Sequence, residues 1–439
     1  MKTTTKRNLR ALIAATAMLA TEFASAADKA IPGSSYETYT ARPWTSSSEA
    51  RYEAMDALQL TRIMGNGINL GNTMEATGSW MGYNQSDASD YETAWGQPKT
   101  TKAMFQAMKK AGFDSVRIPV AWTNTMDWSN GDFQINKNYL ERVAQVVTWA
   151  LESDLFVMIN DHWDYQWWGL FSHDEALAFQ VYEAIWTQVG SYFKDYSYKL
   201  IFEGGNEELG HRFNDTVDAN IDSRLKTVTY STPGTLSESE CYMLLTKVTQ
   251  KFVDIIRAQG GNNTRRFLLI PGYDTDIEKT CDTRYAMPND PQNAVQKLLI
   301  SVHYYSPALY CLVSNPRNSW GYKTSWGTAS DVSEQNALFR KMKKFTDAGY
   351  GVIIGEYAVC LKMTKGYNTK KSSDDVYARK AGDTKWLTNV LDNCDTYNYC
   401  PFLWDCNTYF SKSGTLGFTG DFADIAGVYK NRSYASEAE

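Results

Sequence analysis

Leu200-Ile201-Phe202-Glu203-Gly204-Gly205-Asn206-Glu207-Glu208-Leu209-Gly210 is the stretch on which the reading turns. A short apolar run, with Tyr198 just ahead of it, opens into three carboxylates, Glu203, Glu207 and Glu208, within six positions. Like charges that close repel. A chain does not crowd them at the end of a strand for stability, so the burst asks what the other strand ends carry.

Seven further short apolar runs rich in β-branched residues accompany Lys199–Phe202. They are Met64–Leu70, Ser115–Val120, Leu155–Asn160, Phe267–Ile270, Leu298–His303, Gly351–Ile354 and Tyr399–Trp404. Helix-period stretches separate most of them: Lys102–Ala111, Asn138–Leu151, Asp174–Phe193, Ser237–Ala258, Asp331–Ala348 and Ser373–Leu391. Gly112 and Gly349 follow two of these, as C-terminal caps do. Eight strands alternating with helices predict an α/β fold, a (β/α)8 TIM barrel forming a single catalytic domain over residues 49–430. A doubly wound sheet also alternates, but it usually opens with a phosphate loop. Gly65-Asn66-Gly67-Ile68-Asn69-Leu70-Gly71 does not fit G-x-G-x-x-G before a helix.

The flanks read differently. Lys2, Lys6, Arg7 and Arg10 precede an apolar run, Ala11 to Ala20, and Ala24-Ser25-Ala26 offers a cleavage site. This is the pattern of a signal peptide over residues 1–26, and the run is too short to anchor in a bilayer about 30 Å thick. The expected product is secreted by bacterial export, with no membrane association after cleavage. Residues 27–48 are polar and rich in Ser and Thr, a linker or N-terminal extension. Residues 431–439 read as a C-terminal tail.

A net charge of −6 with no basic block argues against a nucleic-acid partner. Aromatic residues make up 14% of the chain, many in polar loop-like segments where rings could stack on sugars. All seven cysteines lie in the second half. Export permits disulfides, the odd number leaves at least one thiol over, and the connectivity stays open. No C-x-x-C pair occurs, and four scattered histidines are a poor donor set for a metal-dependent hydrolase. No metal and no cofactor are expected.

In such a barrel the strand C-termini converge on one face. They carry Asn69 and Asn72, Arg117, Asp161-His162-Trp163, Asn206-Glu207, His303-Tyr304-Tyr305, Glu356, and Trp404-Asp405. The fifth strand offers no candidate. Arg117 and Glu356 each interrupt an apolar run, and an unpaired buried charge is costly. Their simplest joint explanation is a pairing across the barrel mouth, the alternative being two unrelated ion pairs. Glu207 and Glu356 then form a carboxylate pair suited to glycoside hydrolysis. One must be protonated and the other ionised, with a neighbouring negative charge raising one pKa and Arg117 with tyrosine donors holding the other low.

Gly67-Ile68-Asn69-Leu70-Gly71-Asn72-Thr73, Glu92-Thr93-Ala94-Trp95-Gly96-Gln97-Pro98, Val116-Arg117-Ile118-Pro119-Val120, Asn206-Glu207, His303-Tyr304-Tyr305, Ile354-Gly355-Glu356 and Trp404 together resemble the motif series of glycoside hydrolase family 5. The resemblance is to its bacterial endoglucanase branch, which also holds xyloglucanases and lichenases, and it runs from about residue 50 to 410. It implies that Glu207 is the general acid/base and Glu356 the nucleophile of a retaining double displacement. It implies that Arg117 and Tyr305 orient Glu356, that Asn206 binds the sugar 2-hydroxyl, and that His303 lies close to Glu207. It places His162 in the substrate cleft and makes Trp404 the floor of the −1 subsite; Asn72, at the first strand's end, and Trp163, beside His162, are expected to bind substrate as well. Glu203 and Glu208 are supporting or solvent-facing, Glu208 standing where the family often has proline. The branch commonly carries two adjacent histidines where this chain has His162-Trp163, which leaves the minus-side sugar contacts open. Trp163, Tyr165, Trp167 and Trp168 share one loop, either a sugar-stacking wall or local packing.

The expected activity is an endo-β-1,4-glucanase, acting as a monomer on cellulose and mixed-linkage β-glucan. Xyloglucan or mannan as main substrate is an alternative, since loops decide between them. A catalytically silent polysaccharide-binding barrel is a further alternative, which the complete set of supporting residues disfavours.

Overall fold

The computed structural model describes residues 46–77, 81, 87–126, 128, 131, 133–217, 230–366 and 375–432. The expected leader at 1–26, most of the extension at 27–48 and the tail from 433 onward lie outside these residues. The end of that extension belongs to a helix, Ser46–Ala54. The C-terminal boundary also shifts. Ala423–Asn431 is a helix, and Arg432 after it bonds Asn66 and Asp395.

Eight parallel strands close into a barrel in chain order: β1 (Gly67–Asn69), β2 (Ser115–Ile118), β3 (Phe156–Ile159), β4 (Leu200–Glu203), β5 (Leu268–Pro271), β6 (Leu298–Tyr304), β7 (Gly351–Tyr357) and β8 (Tyr399–Leu403). All eight expected runs contribute one strand each. Met64 is the exception within the first run, since it ends the helix Ala57–Met64. Asp56 and Gln59 form a capping box that starts this helix. Helices Lys102–Lys110, Lys137–Glu152, Glu175–Phe193 and Glu238–Ala258 match the expected periodic stretches to within a residue or two. Gly112 takes φ +99 after the first of them, the backbone region glycine reaches without strain. The stretch after β6 is broken into Ala329–Lys341 and Lys343–Asp347. The last expected helix begins only at Asp383. Val376–Ala378 ahead of it instead pairs antiparallel with Lys362–Lys365, as a β-branched residue favours.

Side chains alternate across each strand with period two. Val116, Ile118, Val157, Ile159, Leu200 and Phe202 point outward into the layer shared with the helices. Met158, Ile201, Leu269, Leu299, Ile353 and Phe402 fill the interior together with Ala57, Leu60 and Met64. The helix Ala57–Met64 therefore plugs one end of the barrel. Continuing the same alternation one step toward the other end gives Asn69, Arg117, Glu203 and Ser301, all fully buried. The barrel changes from apolar to polar within one layer.

Aromatic residues serve packing more than the composition implied. Trp122, Trp167, Trp168, Trp186 and Trp386 are buried, and only Trp163 and Trp320 are exposed tryptophans among the described residues. No helix among the described residues is long and apolar enough to cross a membrane. All seven cysteines are free thiols.

Candidate active site

Arg117 organises the polar layer. Its Nε donates to Glu203 Oε2 at 2.6 Å and its Nη2 to Asn206 Oδ1 at 2.8 Å. Its Nη1 donates to Asn69 Oδ1 at 3.0 Å and to Glu356 Oε1 at 2.9 Å. The expected pairing of Arg117 with Glu356 is thus direct. Glu203, read as supporting or solvent-facing, is wholly buried and supporting, and it accepts a second bond from Ser301 Oγ at 2.8 Å. An always-charged guanidinium fork suits this place, because four acceptors surround it in fixed directions. The two carboxylates beside it push the Arg117 pKa up against the opposing effect of burial.

β6 and β7 slip in register between Val302 and His303, which sets His303 opposite Glu356. The slip has a sequence basis in Gly355. A Cβ there would stand 2.9 Å from Ser301 Oγ and 3.0 Å from His303 Nε2. His303 Nδ1 lies 2.7 Å from Glu207 Oε1 and 3.6 Å from Glu356 Oε2. Tyr305 Oη donates to the remaining Glu356 oxygen at 2.8 Å. Ligand atoms of Glu207, His303 and Glu356 all lie within 4.8 Å of one another.

Burial is the largest influence on Glu207, Glu356, His303 and His162. It raises Glu207 above its ordinary value, against the lowering charges of Arg117 and Arg212. It also raises Glu356, with His303, Arg117 and the Tyr305 bond pulling down and Glu207 pushing up. The expectation that Arg117 and Tyr305 hold this carboxyl low is corrected: they limit a rise that desolvation causes. Burial lowers His303 to about 4 and His162 well below its usual value, so both rings are neutral at neutral pH. A neutral His303 can pass one proton between Nδ1 and Glu207.

The cavity around this pair measures about 350 Å³. Asn72, His162, Trp163, Asn206 and Trp404 line it, as expected, and Trp95, Glu75 and Leu312 join them. Trp404 stacks on His162 with centroids 5.8 Å apart and planes 10° apart. A second cavity of about 440 Å³ shares Tyr305, Leu312 and Trp404 and so extends the cleft. Another cavity, about 540 Å³, lies by Asp56, Gly65 and Arg432 at the opposite end and holds none of these groups.

The tryptophan loop divides. Trp167 and Trp168 stack on each other at 4.3 Å and are buried beside Phe171 and Tyr182, so for them packing is the correct reading. Tyr165's side chain lies outside the described residues. Trp163 alone reaches the cleft, 40% exposed. Glu208 is also buried rather than solvent-facing, and burial raises its carboxyl to about 8.

Glu207, His303 and Glu356 are the one group among the described residues spaced to hold a metal. The donor set fits poorly, because both Glu356 oxygens already bond Arg117 and Tyr305 and a guanidinium stands beside them. Sequence reasoning missed Trp95, although it sits inside a quoted motif. Nothing local marks Leu312, an exposed apolar residue of a loop after β6.

Residues 74–409 match the family described as Cellulase (glycosyl hydrolase family 5). The chain belongs to glycoside hydrolase family 5. It is similar to a xyloglucan-specific endo-beta-1,4-glucanase of Bacteroides ovatus, 32% identical over 86% of this chain and 70% of that protein. It is also similar to an endoglucanase A of Paenibacillus barcinonensis, 30% identical over 82% of this chain and 85% of that one. Among solved structures, a mutant family 5 lichenase from Caldicellulosiruptor sp. F32 in complex with cellotetraose superposes with a TM-score of 0.68. It is 29% identical and covers 86% of this chain and 96% of its own. The chain is therefore a retaining glycoside hydrolase, and a carboxylate pair this close fits retention rather than the wider spacing that admits a water.

Proposed function

We propose that the protein is a secreted endo-β-1,4-glucanase acting as a monomer on soluble or amorphous cellulose and mixed-linkage β-glucan. The observation that carries the reading is the Glu207–Glu356 pair, with Arg117 and Tyr305 on one carboxyl and His303 on the other. Glu356 attacks the anomeric carbon while Glu207 gives its proton to the departing glycosidic oxygen, leaving a glycosyl ester on Glu356. Glu207, now ionised, takes a proton from water, which hydrolyses the ester and restores both groups. Asn206, fixed by Arg117, is placed to bond the sugar 2-hydroxyl. Trp404 forms the floor of the −1 subsite.

The names of the relatives, endoglucanases, a lichenase and a xyloglucanase, support a β-1,4-linked glucan. The cavity adjoining the cleft favours xyloglucan as a second reading, since branched chains need lateral room. The test is reducing-end release from carboxymethylcellulose, barley β-glucan, xyloglucan, xylan and mannan, with Glu356→Ala and Glu207→Ala alongside. Glu356→Ala abolishes turnover. Glu207→Ala loses polysaccharide hydrolysis but still forms a glycosyl-enzyme from activated aryl cellobiosides, which need no acid. Activity in Glu356→Ala, or dominant release from mannan or xylan, overturns the mechanism or the substrate respectively.

A further inference from the structure

The His162–Trp163–Asp164 turn is unusual. Trp163 has φ 58 and ψ −54, and the Asp164 amide donates to His162 O at 2.7 Å. This is a γ-turn with a bulky residue at its centre, a strained form that persists only when surroundings hold it. The surroundings are visible on both flanks. His162 N donates to Val120 O at 2.9 Å. Asp164, fully buried, accepts from the Thr123 amide at 2.9 Å and its hydroxyl at 2.6 Å. The strain lifts the indole into the cleft beside Glu207 instead of into the core with Trp167 and Trp168.

One residue from another element holds the ring itself. The Arg212 guanidinium lies 4.4 Å from the Trp163 ring centroid. Arg212 is anchored by Asp215 Oδ2 at 2.9 Å and stands 3.8 Å from buried Glu208. It does not line the cavity; Trp163 and Glu207 do.

We propose that Trp163 is a stacking platform for a glucosyl ring of the substrate and that Arg212 is the positioning residue behind it, its charge shared between the indole and the buried Glu208 that follows Glu207 in the chain. The inference rests on the reading of Glu207 as acid/base. A cation on one side of an indole enriches the ring's contacts and stiffens its placement. The same cation lowers the Glu207 pKa from its raised position. Substrate placement and proton supply then depend on one side chain. The other groups around Glu207 are His303, Glu356, Tyr305, Arg117, Glu208 and, after β5, Asp274, which His211 and Lys279 pair. Arg212 alone of the described charged groups stands beside both Glu208 and the Trp163 ring.

The test compares Arg212→Gln, Arg212→Lys, Trp163→Ala and the double variant Trp163→Ala/Arg212→Gln, using cellotetraose and an aryl cellobioside. Trp163→Ala raises KM for cellotetraose and leaves the basic limb of the kcat/KM–pH profile in place. Arg212→Gln raises KM about three- to tenfold and moves the basic limb to higher pH. Arg212→Lys keeps the limb, because it keeps the charge, while KM still rises. The double variant matches Trp163→Ala in KM. Fully additive KM effects together with an unmoved limb in Arg212→Gln overturn the proposal. If Arg212→Gln does not fold, the contrast between Arg212→Lys and Trp163→Ala decides. Glu207→Ala on the aryl cellobioside separates the two readings: unchanged turnover there removes Glu207 as acid/base, while the KM cycle still judges the Trp163–Arg212 pair.

Discussion

Arg117→Lys keeps one positive charge in the polar layer but replaces a planar fork by a point. Arg117 makes four hydrogen bonds, to Glu203, Asn206, Asn69 and Glu356. An ammonium on a shorter reach serves the carboxylates first and leaves both amide oxygens without a donor, since all four acceptors are buried. Each lost bond to a charged donor is worth about 1.5–3 kcal/mol, so two give roughly 3–6 kcal/mol. With an unfolding entropy of about 2.1 cal/mol/K per residue over roughly 350 folded residues, 1 kcal/mol corresponds to about 1.4 °C. The expected fall in Tm is therefore about 4–8 °C. Loss of the grip on Glu356 also slows glycosylation by about two orders of magnitude, as misplacement of a reacting group does. Differential scanning calorimetry and burst kinetics with dinitrophenyl cellobioside measure the two. An Arg117→Lys protein that melts within a degree of the parent and keeps its burst rate refutes the reasoning that the fork geometry matters.

Gly355→Ala places a methyl 3.0 Å from His303 Nε2 and 2.9 Å from Ser301 Oγ, so kcat should fall about tenfold or more as His303 leaves Glu207, with circular dichroism unchanged. The pH–rate profile should be bell-shaped with both limbs shifted upward from ordinary carboxylates, the acidic limb from raised Glu356 and the basic limb from raised Glu207; an acidic limb at the ordinary glutamate value counts against it. Glu208, held at about 8 in the folded state against 4.5 ordinarily, binds its proton more tightly when folded, so it favours folding most below pH 4.5 and that contribution is lost as pH rises to 8. Glu208→Gln should flatten the fall of Tm over that window, raising stability at pH 8 by a few kcal/mol; an identical pH dependence in parent and variant would show the carboxyl is not protonated there.

The barrel was legible because its pattern is repeated: each strand overlaps an apolar run of four to seven residues, most of them separated by helical stretches. β1 was the least legible. Its three residues follow a helix ending at Met64 after only Gly65 and Asn66, so helix and strand merge into one short apolar run. The strand-end residues Arg117 and Glu356 could be paired from sequence because each is a charge in an apolar run. Glu203 is the same kind of signal, yet the neighbouring Glu207 and Glu208 made it look like one of a solvated group. Period-two counting from Ile201 would have turned it inward. Arg212 could not be found that way. It comes from a 3₁₀ turn, His211–Asn214, and its partner Trp163 is 49 residues earlier on an unrelated loop. Contacts of that sort depend on loop geometry, which carries no periodic signature.

The plugged end of the barrel is also where the described chain begins and ends. Glu49 of the first helix bonds Ser197 and Tyr198 just before β4, and Arg432 bonds Asn66 just before β1. Both described ends of the chain thus depart from the floor of the barrel, with the whole depth of the interior between them and the cleft. A linker, a resin or a second protein joined directly at Ser46 or Arg432 would carry the enzyme with its mouth turned outward, toward a polymer that no pocket could swallow whole.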